Sequence, residues 1–228
     1  MSGRVIAIDG PSGSGKSTLA RSLACQLGLA YLDTGAMYRA AALWVADHQA
    51  LDSPEQMGHL VKQMDLVLGL DPTSPAVWLA GQDVGQRIRE PSTSAMVSQV
   101  STVLAVRQVL IQRQRQIINQ EKSKAGWAKG RGIVVEGRDI TTVVVPEADT
   151  RLLLTASPAV RLARRSAELT LVKKSQSAKQ LHQQVLKRDK KDSTVASFQS
   201  PAEGVLVVDS TNLTAEQTLS QVLRLVEA

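Results

Sequence analysis

Residues 10 to 17 of the chain read Gly-Pro-Ser-Gly-Ser-Gly-Lys-Ser and match the pattern G-x-x-x-x-G-K-[ST]. The run before them, residues 4–9, is short and almost continuously apolar, as is typical of a strand buried on both faces of a parallel sheet. After them, Leu19, Leu23 and Leu27 recur at a spacing of four, which predicts a helix. The sequence therefore predicts a strand, a glycine-rich loop and a helix in direct succession.

This loop has the composition of a phosphate-binding site. Gly13 and Gly15 can take backbone angles that are closed to other residues, and they have no Cβ atom to keep an anion away from neighbouring amides. Those amides, the positive end of the helix dipole and the Lys16 ammonium are expected to hold the β- and γ-phosphates of a nucleotide. The Ser17 hydroxyl is expected to ligate Mg²⁺. The alternative is a glycine-rich turn that matches the pattern by accident.

The first half of the chain repeats short strands, tight turns and helices, which predicts an α/β sheet. The elements predicted after the first helix are a strand over 29–33, a helix over about 36–50, and a helix over about 53–64 that is capped by Ser53. Residues 66–70 and 77–80 are strand-like runs with no helix between them. We therefore expect a small antiparallel insertion over about 65–100.

The second half continues the sheet. Its predicted elements are a helix over 94–119, strands over 133–136, 152–154 and 205–209, a helix from Ser157, a helix that ends near Asp189, and a terminal helix capped at Thr214. Residues 166–179 are polar and poor in core residues, which predicts a mobile flap within a lid of about 157–179. Ligands of open parallel sheets bind beyond the carboxyl ends of the strands, so Arg138 and Asp139 are expected to face the crevice of the phosphate loop.

The composition limits the classes of function. The 228 residues are enough for one domain spanning 1–228, and no charged segment precedes a long apolar stretch, so we expect no signal peptide and no membrane partner. The single cysteine, Cys25, is expected to be a small buried residue in a reducing cytoplasm. A net charge of +6 suits phosphorylated substrates as well as polyanions, but only 3% of residues are aromatic. We therefore expect no nucleic-acid partner.

The chain contains several arginines that are candidates for binding phosphate groups. The candidates are Arg39, Arg89, Arg107, Arg138, Arg161, Arg164, Arg165 and Arg188. Surface helices often carry arginine for solubility, which is the alternative for each of them. Arg39 and Arg138 are the stronger candidates, because each lies just beyond the carboxyl end of a predicted strand.

Guanidinium groups neutralise the charge of a migrating phosphoryl group without exchanging protons. A phosphate acceptor needs no general base, because its second pKa of about 6 leaves it largely deprotonated at neutral pH. A hydroxyl acceptor would favour a carboxylate, and Asp33 and Asp139 are available for that role. The residues thus favour a phosphate acceptor without excluding a hydroxyl compound.

Four segments together resemble bacterial cytidylate kinases in order and spacing. These segments are residues 10–18, Asp-Thr-Gly-Ala-Met-Tyr-Arg at 33–39, Glu-Gly-Arg-Asp at 136–139, and Arg-Asp-Lys-Lys-Asp-Ser at 188–193. The resemblance implies a five-stranded parallel sheet, a monophosphate-binding insertion and a small lid. It also implies transfer of the γ-phosphoryl group of ATP, with Mg²⁺, to CMP and to dCMP. We take a monomer as the default.

The resemblance implies roles for individual residues. The nucleotide-binding residues would be Gly10, Pro11, Ser12, Gly13, Ser14, Gly15, Lys16, Ser17 and Thr18. The CMP-binding residues would be Thr34, Arg39, Ser98, Arg107, Arg138, Asp139 and Asp192. The catalytic residues would be Lys16, Arg138, Arg161, Arg165 and Arg188. A carboxylate that accepts from the exocyclic amine of cytosine meets an acceptor in uracil, so Asp139 is the candidate selectivity residue. Its alternative role is that of a structural partner for Arg138 or Arg107.

The chain departs from the family pattern at two positions. Val195 stands where an arginine is usual, with Lys190 or Lys191 as possible substitutes, and Thr141 replaces a common glycine. Two other functions stay open: a P-loop kinase with a different acceptor, and a basic nucleotide-binding protein that associates with RNA. The salt dependence of binding separates the second from a closed small-substrate pocket.

Overall fold

The computed structural model describes residues 3–171, 193, 194, 196, 198 and 200–227. Its main sheet has five parallel strands in the order β2-β6-β1-β7-β8. These strands are β1 (Arg4–Asp9), β2 (Ala30–Asp33), β6 (Gly132–Gly137), β7 (Thr150–Thr155) and β8 (Leu206–Asp209). The predicted five-stranded parallel sheet is confirmed. The expectations for Arg188, Asp189, Asp192 and Val195, and for the part of the lid after residue 171, lie outside the described residues.

Helices cover both faces of this sheet. They are α1 (Lys16–Leu27), α2 (Thr34–Asp47), α3 (Pro54–Gln63), α4 (Pro91–Val100), α5 (Leu104–Glu121), α6 (Pro158–Leu171) and α7 (Ala215–Glu227). Successive residues of β1 belong to different cores: Ile6 and Ile8 pack with α1 and α7, whereas Val5 and Ala7 pack with the core to which α2–α5 contribute. The apolar run of β1 is thus explained by burial on both faces.

The predicted antiparallel insertion is a three-stranded sheet of β3 (Leu66–Leu68), β4 (Val77–Leu79) and β5 (Gln82–Asp83). Two contacts attach its first loop to the main domain. The Tyr31 amide donates to the Leu70 carbonyl at 2.9 Å, and Arg21 donates to the carbonyls of Pro72 and Thr73 at 2.9 and 3.3 Å. The insertion therefore lies against α1 and the edge strand β2.

The single helix predicted over 94–119 is two helices in the structure, α4 and α5. The axes of α4 and α5 differ by 103° across the break at residues 101–103. The Thr102 hydroxyl lies within hydrogen-bond distance of the carbonyls of Ser98 and Gln99, which satisfies the end of α4, and Val103 is extended. Within the described ranges, no single helix is long and apolar enough to span a membrane, and only this bent pair meets that criterion jointly.

Local predictions at helix ends have mixed outcomes. The cap at Thr214 is confirmed, because its amide donates to Gln217 and the Gln217 amide donates to its hydroxyl. Ser53 precedes α3 but its side chain makes no capping bond. Cys25 is exposed, not buried, because α1 buries a narrow stripe that Cys25 lies outside. The helix α6 runs to Leu171 and so includes the first residues of the predicted flap.

Candidate active site

A cavity opens at the carboxyl ends of β1, β2 and β6, where the phosphate loop, α2, α4 and α5 converge. The predicted site residues that line it are Ser12, Gly13, Gly15, Lys16, Ser17, Thr18, Thr34, Arg39, Arg107, Arg138, Asp139 and Arg165. Gly10, Pro11, Ser14, Ser98 and Arg161 were predicted for the site and do not line this cavity. Residues distant in sequence thus meet at the edge of the sheet that the topology rule predicts.

The phosphate loop leads into the N-terminus of α1, which begins at Lys16. Gly13 and Gly15 have φ of 75° and 94°, in the left-handed region. A Cβ atom at Gly13 would lie 2.5 Å from the Arg161 carbonyl oxygen, so the lack of a side chain there is also required by packing against α6. Lys16 is buried, and its ammonium donates to the Pro11 carbonyl at 2.9 Å. The loop therefore holds its lysine close to the backbone amides that would meet a phosphate.

Two arginines of α6 bind the phosphate loop from outside the cavity. Arg161 donates to the Ser12 carbonyl at 3.0 Å. Arg164 donates to the Ser14 carbonyl at 3.1 Å and to the hydroxyl and carbonyl of Ser210 at 2.9 and 2.8 Å. These guanidinium groups support the loop, and of the three predicted lid arginines only Arg165 lines the cavity.

The turn from β2 into α2 fixes three polar side chains at the cavity. Asp33 accepts from the Ala36 amide at 2.8 Å and caps α2. The other carboxylate oxygen of Asp33 lies 3.7 Å from Arg39, which orients that guanidinium. The Thr34 hydroxyl donates to the Glu136 carbonyl at 2.7 Å and joins this turn to β6.

Glu136 is a site residue that the sequence interpretation did not select. Its carboxylate is buried and accepts from the Tyr31 hydroxyl at 2.9 Å. Burial raises the pKa of Glu136 and the Asp33 charge raises it further, while Lys16, Ser17 and Tyr31 oppose the rise. The available signal was its position, because an acidic residue at the end of a buried strand beside β1 faces the phosphate loop.

Arg107 and Asp139 form a nearly buried ion pair at the cavity, with a guanidinium-to-carboxylate distance of 2.5 Å. The structure therefore contains one of the contacts named as the structural alternative for Asp139. Arg138, the neighbouring residue, donates to the Gly10 carbonyl and lies over the Phe198 ring at 4.8 Å from its centre. The Arg107–Asp139 ion pair thus lies at one end of the cavity, and the Arg138 guanidinium lies beside the phosphate loop.

Asp9 anchors the turn that carries Arg138 and Asp139. Its buried carboxylate accepts from the Ile140 amide at 2.9 Å, from the Thr141 amide at 2.8 Å and from the Thr141 hydroxyl at 2.6 Å. Burial raises the pKa of Asp9, and these bonds act against the rise. The Thr141 hydroxyl thus makes a hydrogen bond that the glycine common at this position could not make.

Comparison with known proteins places this geometry in context. A family model described as cytidylate kinase matches residues 6–228. A cytidylate kinase of Cutibacterium acnes is 47% identical over 226 residues, which cover 97% of this chain and 95% of that protein. A cytidylate kinase of Streptomyces avermitilis is 39% identical over 225 residues, with 98% and 92% covered. One of Nocardia farcinica is 41% identical over 224 residues, with 97% and 93% covered.

Proposed function

The chain belongs to the cytidylate kinase family and is an ATP-dependent CMP kinase, and we propose that its reaction occurs in the cavity between the phosphate loop and the Arg107–Asp139 pair. A phosphate oxygen of CMP would attack the γ-phosphorus of ATP, and the bond from that phosphorus to ADP would break. The products are CDP and ADP. The observation that supports this assignment is that a single cavity is lined both by the phosphate loop and by the nearly buried Arg107–Asp139 ion pair.

The phosphate loop forms the donor end of the cavity. The amides at the N-terminus of α1 and the Lys16 ammonium would bind the β- and γ-phosphates of ATP. Arg161 and Arg164 would act on the donor indirectly, because they bind the carbonyls of the loop. A loop supported in this way keeps its amides directed at the phosphate oxygens, which is electrostatic preorganisation.

The side-chain oxygen atoms beside the phosphate loop are suitable for binding Mg²⁺. Ser17 lines the cavity together with the carboxylates of Glu136 and Asp33, and the Asp33 charge contributes to the raised pKa of Glu136. Hard oxygen ligands of this kind suit Mg²⁺, which usually keeps several waters and binds through few protein groups. When bound with ATP, Mg²⁺ would neutralise charge on the β- and γ-phosphates. Ser17 would hold it directly, and Glu136 would orient its waters.

The acceptor end has cations for a phosphate and a polar pair for a base. Thr34, Arg39, Arg138 and Arg165 line the cavity and would surround the CMP phosphate. Arg188, which follows the proposed lid in the sequence, would be a further catalytic cation. Asp33 is already committed to the Ala36 amide and to Arg39, which makes it a poor base for a hydroxyl acceptor. A phosphate acceptor needs no such base.

We propose that Arg107 and Asp139 read the cytosine ring, with Ser98 near them and Asp192 at the ribose. The pair supplies donors and an acceptor at adjacent positions, and the exocyclic amine of cytosine is a donor. A contact to the ribose that tolerates a missing hydroxyl would admit dCMP as well. The insertion over about 65–100 and the lid over about 157–179 would close over both substrates and exclude water.

The remaining expectations are also proposals: a monomer in the cytoplasm that acts on small substrates in pyrimidine metabolism and binds no nucleic acid. The positions of two arginines support the last of these. Arg161 and Arg164 bind backbone carbonyls of the phosphate loop and of residues 210 and 213, so they do not form a basic surface for a polyanion.

A coupled ADP-release assay with ATP and Mg²⁺ tests the assignment, with CMP, dCMP, UMP, AMP and GMP offered singly. Turnover concentrated on CMP and dCMP is the expected result. Absence of turnover with all five would refute the monophosphate-kinase assignment. RNA binding whose affinity falls steeply with salt would then favour the basic nucleotide-binding protein.

A further inference from the structure

Ser101 lines the cavity although the sequence interpretation assigned a neighbouring serine, Ser98, to the cytosine. It is the residue that follows α4, and it is 8% exposed. Ser98 lies three residues earlier and is half-buried, so the two side chains share one face of α4. Val97 and Arg107 line the cavity beside Ser101. The serine thus belongs to the wall that α4 and α5 form.

The Ser101 hydroxyl is shielded from water and has no hydrogen-bond partner within the described part of the chain. Buried hydroxyl groups are normally paired, so an unpaired one beside a cavity calls for an explanation. Helix termination does not explain it. The neighbouring Thr102 hydroxyl already satisfies the carbonyls of Ser98 and Gln99, and the Ser101 amide donates to the Val97 carbonyl.

We propose that Ser101 binds the nucleobase of the acceptor, by rotation of its hydroxyl about χ1 into the cavity that the residue lines. This inference rests on the proposed function. Serine has three staggered rotamers, and no described bond holds the hydroxyl in its present one. A pyrimidine ring that binds beside Val97 would bring its carbonyl oxygens, a ring nitrogen and, in cytosine, an amine close to the Ser101 side chain. Each of these is a partner for a hydroxyl.

Ser101 adds affinity for pyrimidines and does not select cytosine over uracil. A hydroxyl both donates and accepts, so it pairs with the cytosine amine and with the uracil carbonyl after a rotation of its proton. The Asp139 carboxylate only accepts, so the choice between the two bases falls to Asp139. The two residues therefore have separable effects on acceptor kinetics.

The variant Ser101→Ala tests the proposal, with Thr102→Val as the matched control. Thr102→Val also removes a hydroxyl, one residue further on, from a side chain that does not line the cavity. KM is measured for CMP, UMP and ATP, together with the thermal midpoint of each variant. For Ser101→Ala we expect KM for both pyrimidine monophosphates to rise about fivefold to tenfold, the equivalent of one neutral hydrogen bond.

KM for ATP and the CMP:UMP ratio are expected to stay unchanged in Ser101→Ala. Its thermal midpoint should be equal to or above that of the wild type, since the removed hydroxyl makes no described bond. Thr102→Val should keep the wild-type KM for CMP. If Ser101→Ala kept the wild-type KM for CMP, or if its KM for ATP rose as much as its KM for CMP, the role of Ser101 would be overturned and the proposed function would stand. A wild-type enzyme without CMP turnover would instead overturn the proposed function and this inference together.

Discussion

Thr141→Val should destabilise the protein by removing one hydrogen bond from a buried carboxylate. Asp9 and Thr141 are 1% and 2% exposed, and valine keeps the shape of threonine without its hydroxyl. A hydrogen bond contributes about 0.5–1.5 kcal/mol between neutral groups and about 1.5–3 kcal/mol to a charged group, and 1 kcal/mol shifts the midpoint of a chain of this size by about 2–4 °C. We therefore expect the thermal midpoint at pH 7 to fall by about 1–12 °C.

The pH dependence of this loss identifies Asp9 as its cause. Burial raises the pKa of Asp9 above its ordinary value of 3.8, and the Thr141 hydroxyl lowers it by stabilising the charged form. The native state therefore binds the proton more tightly than the unfolded chain, and stability falls as pH rises from 3.8 through the folded pKa. The Thr141 hydroxyl reduces this loss of stability. The difference in stability between the wild type and Thr141→Val is therefore largest above the folded pKa of Asp9 and becomes smaller below it.

Thermal unfolding of wild type, Thr141→Val and Thr141→Ser across a pH series measures both effects. Serine retains the hydroxyl, so Thr141→Ser should recover most of the midpoint lost in Thr141→Val. It should also recover the pH dependence. A Thr141→Val midpoint equal to that of the wild type at pH 7, or a loss that is the same at every pH, would refute the reasoning.

Three further variants test the site. Lys16→Ala should lose nearly all turnover and keep its circular dichroism spectrum, and near-normal activity would contradict the donor assignment. Asp139→Ala should lose about 1–3 kcal/mol of discrimination between CMP and UMP in kcat/KM, and an unchanged ratio would leave Asp139 with a structural role. Glu136→Gln should lower turnover about tenfold to a hundredfold, as loss of groups that orient metal ligands does. Burial raises the pKa of Glu136, so its charged form destabilises the folded state at pH 7. The neutral variant should therefore have a higher thermal midpoint than the wild type at pH 7 but not at acidic pH. Equal midpoints at every pH would argue against the raised pKa.

Local patterns predicted the parts of the fold that depend on neighbouring residues. The run of β1 and the loop after it are each encoded within a few positions, and so is the Thr214–Gln217 cap. The break between α4 and α5 was missed, because residues 101–103 contain neither glycine nor proline and the helical period continues across them. At this end of α4 the Thr102 hydroxyl bonds to carbonyls of its own helix and Val103 is extended, and periodicity reveals neither.

Several of the predicted site residues line one cavity, but the contacts among them were not predicted. Arg39, Arg138 and Asp139 could be placed at the crevice, because strand ends in a parallel sheet share one edge. The contact of Arg161 with the phosphate loop depends on how α6 packs, and the sequence does not specify that packing. Glu136 and Ser101 were overlooked for a similar reason. The contact of Glu136 with Tyr31 joins residues 105 positions apart, and Ser101 is brought to the cavity wall by the packing of α4 and α5.

The exposed position of Cys25 provides a handle for spectroscopy. It is the only cysteine in the chain, so a maleimide dye would attach at one defined place without any mutation. The thiol shares a shallow groove with Arg21, Pro72 and Thr73, where the insertion meets α1. The proposed closure of the insertion would change the emission of such a dye as substrates bind. That proposal could thus be tested in real time on a protein with its natural sequence.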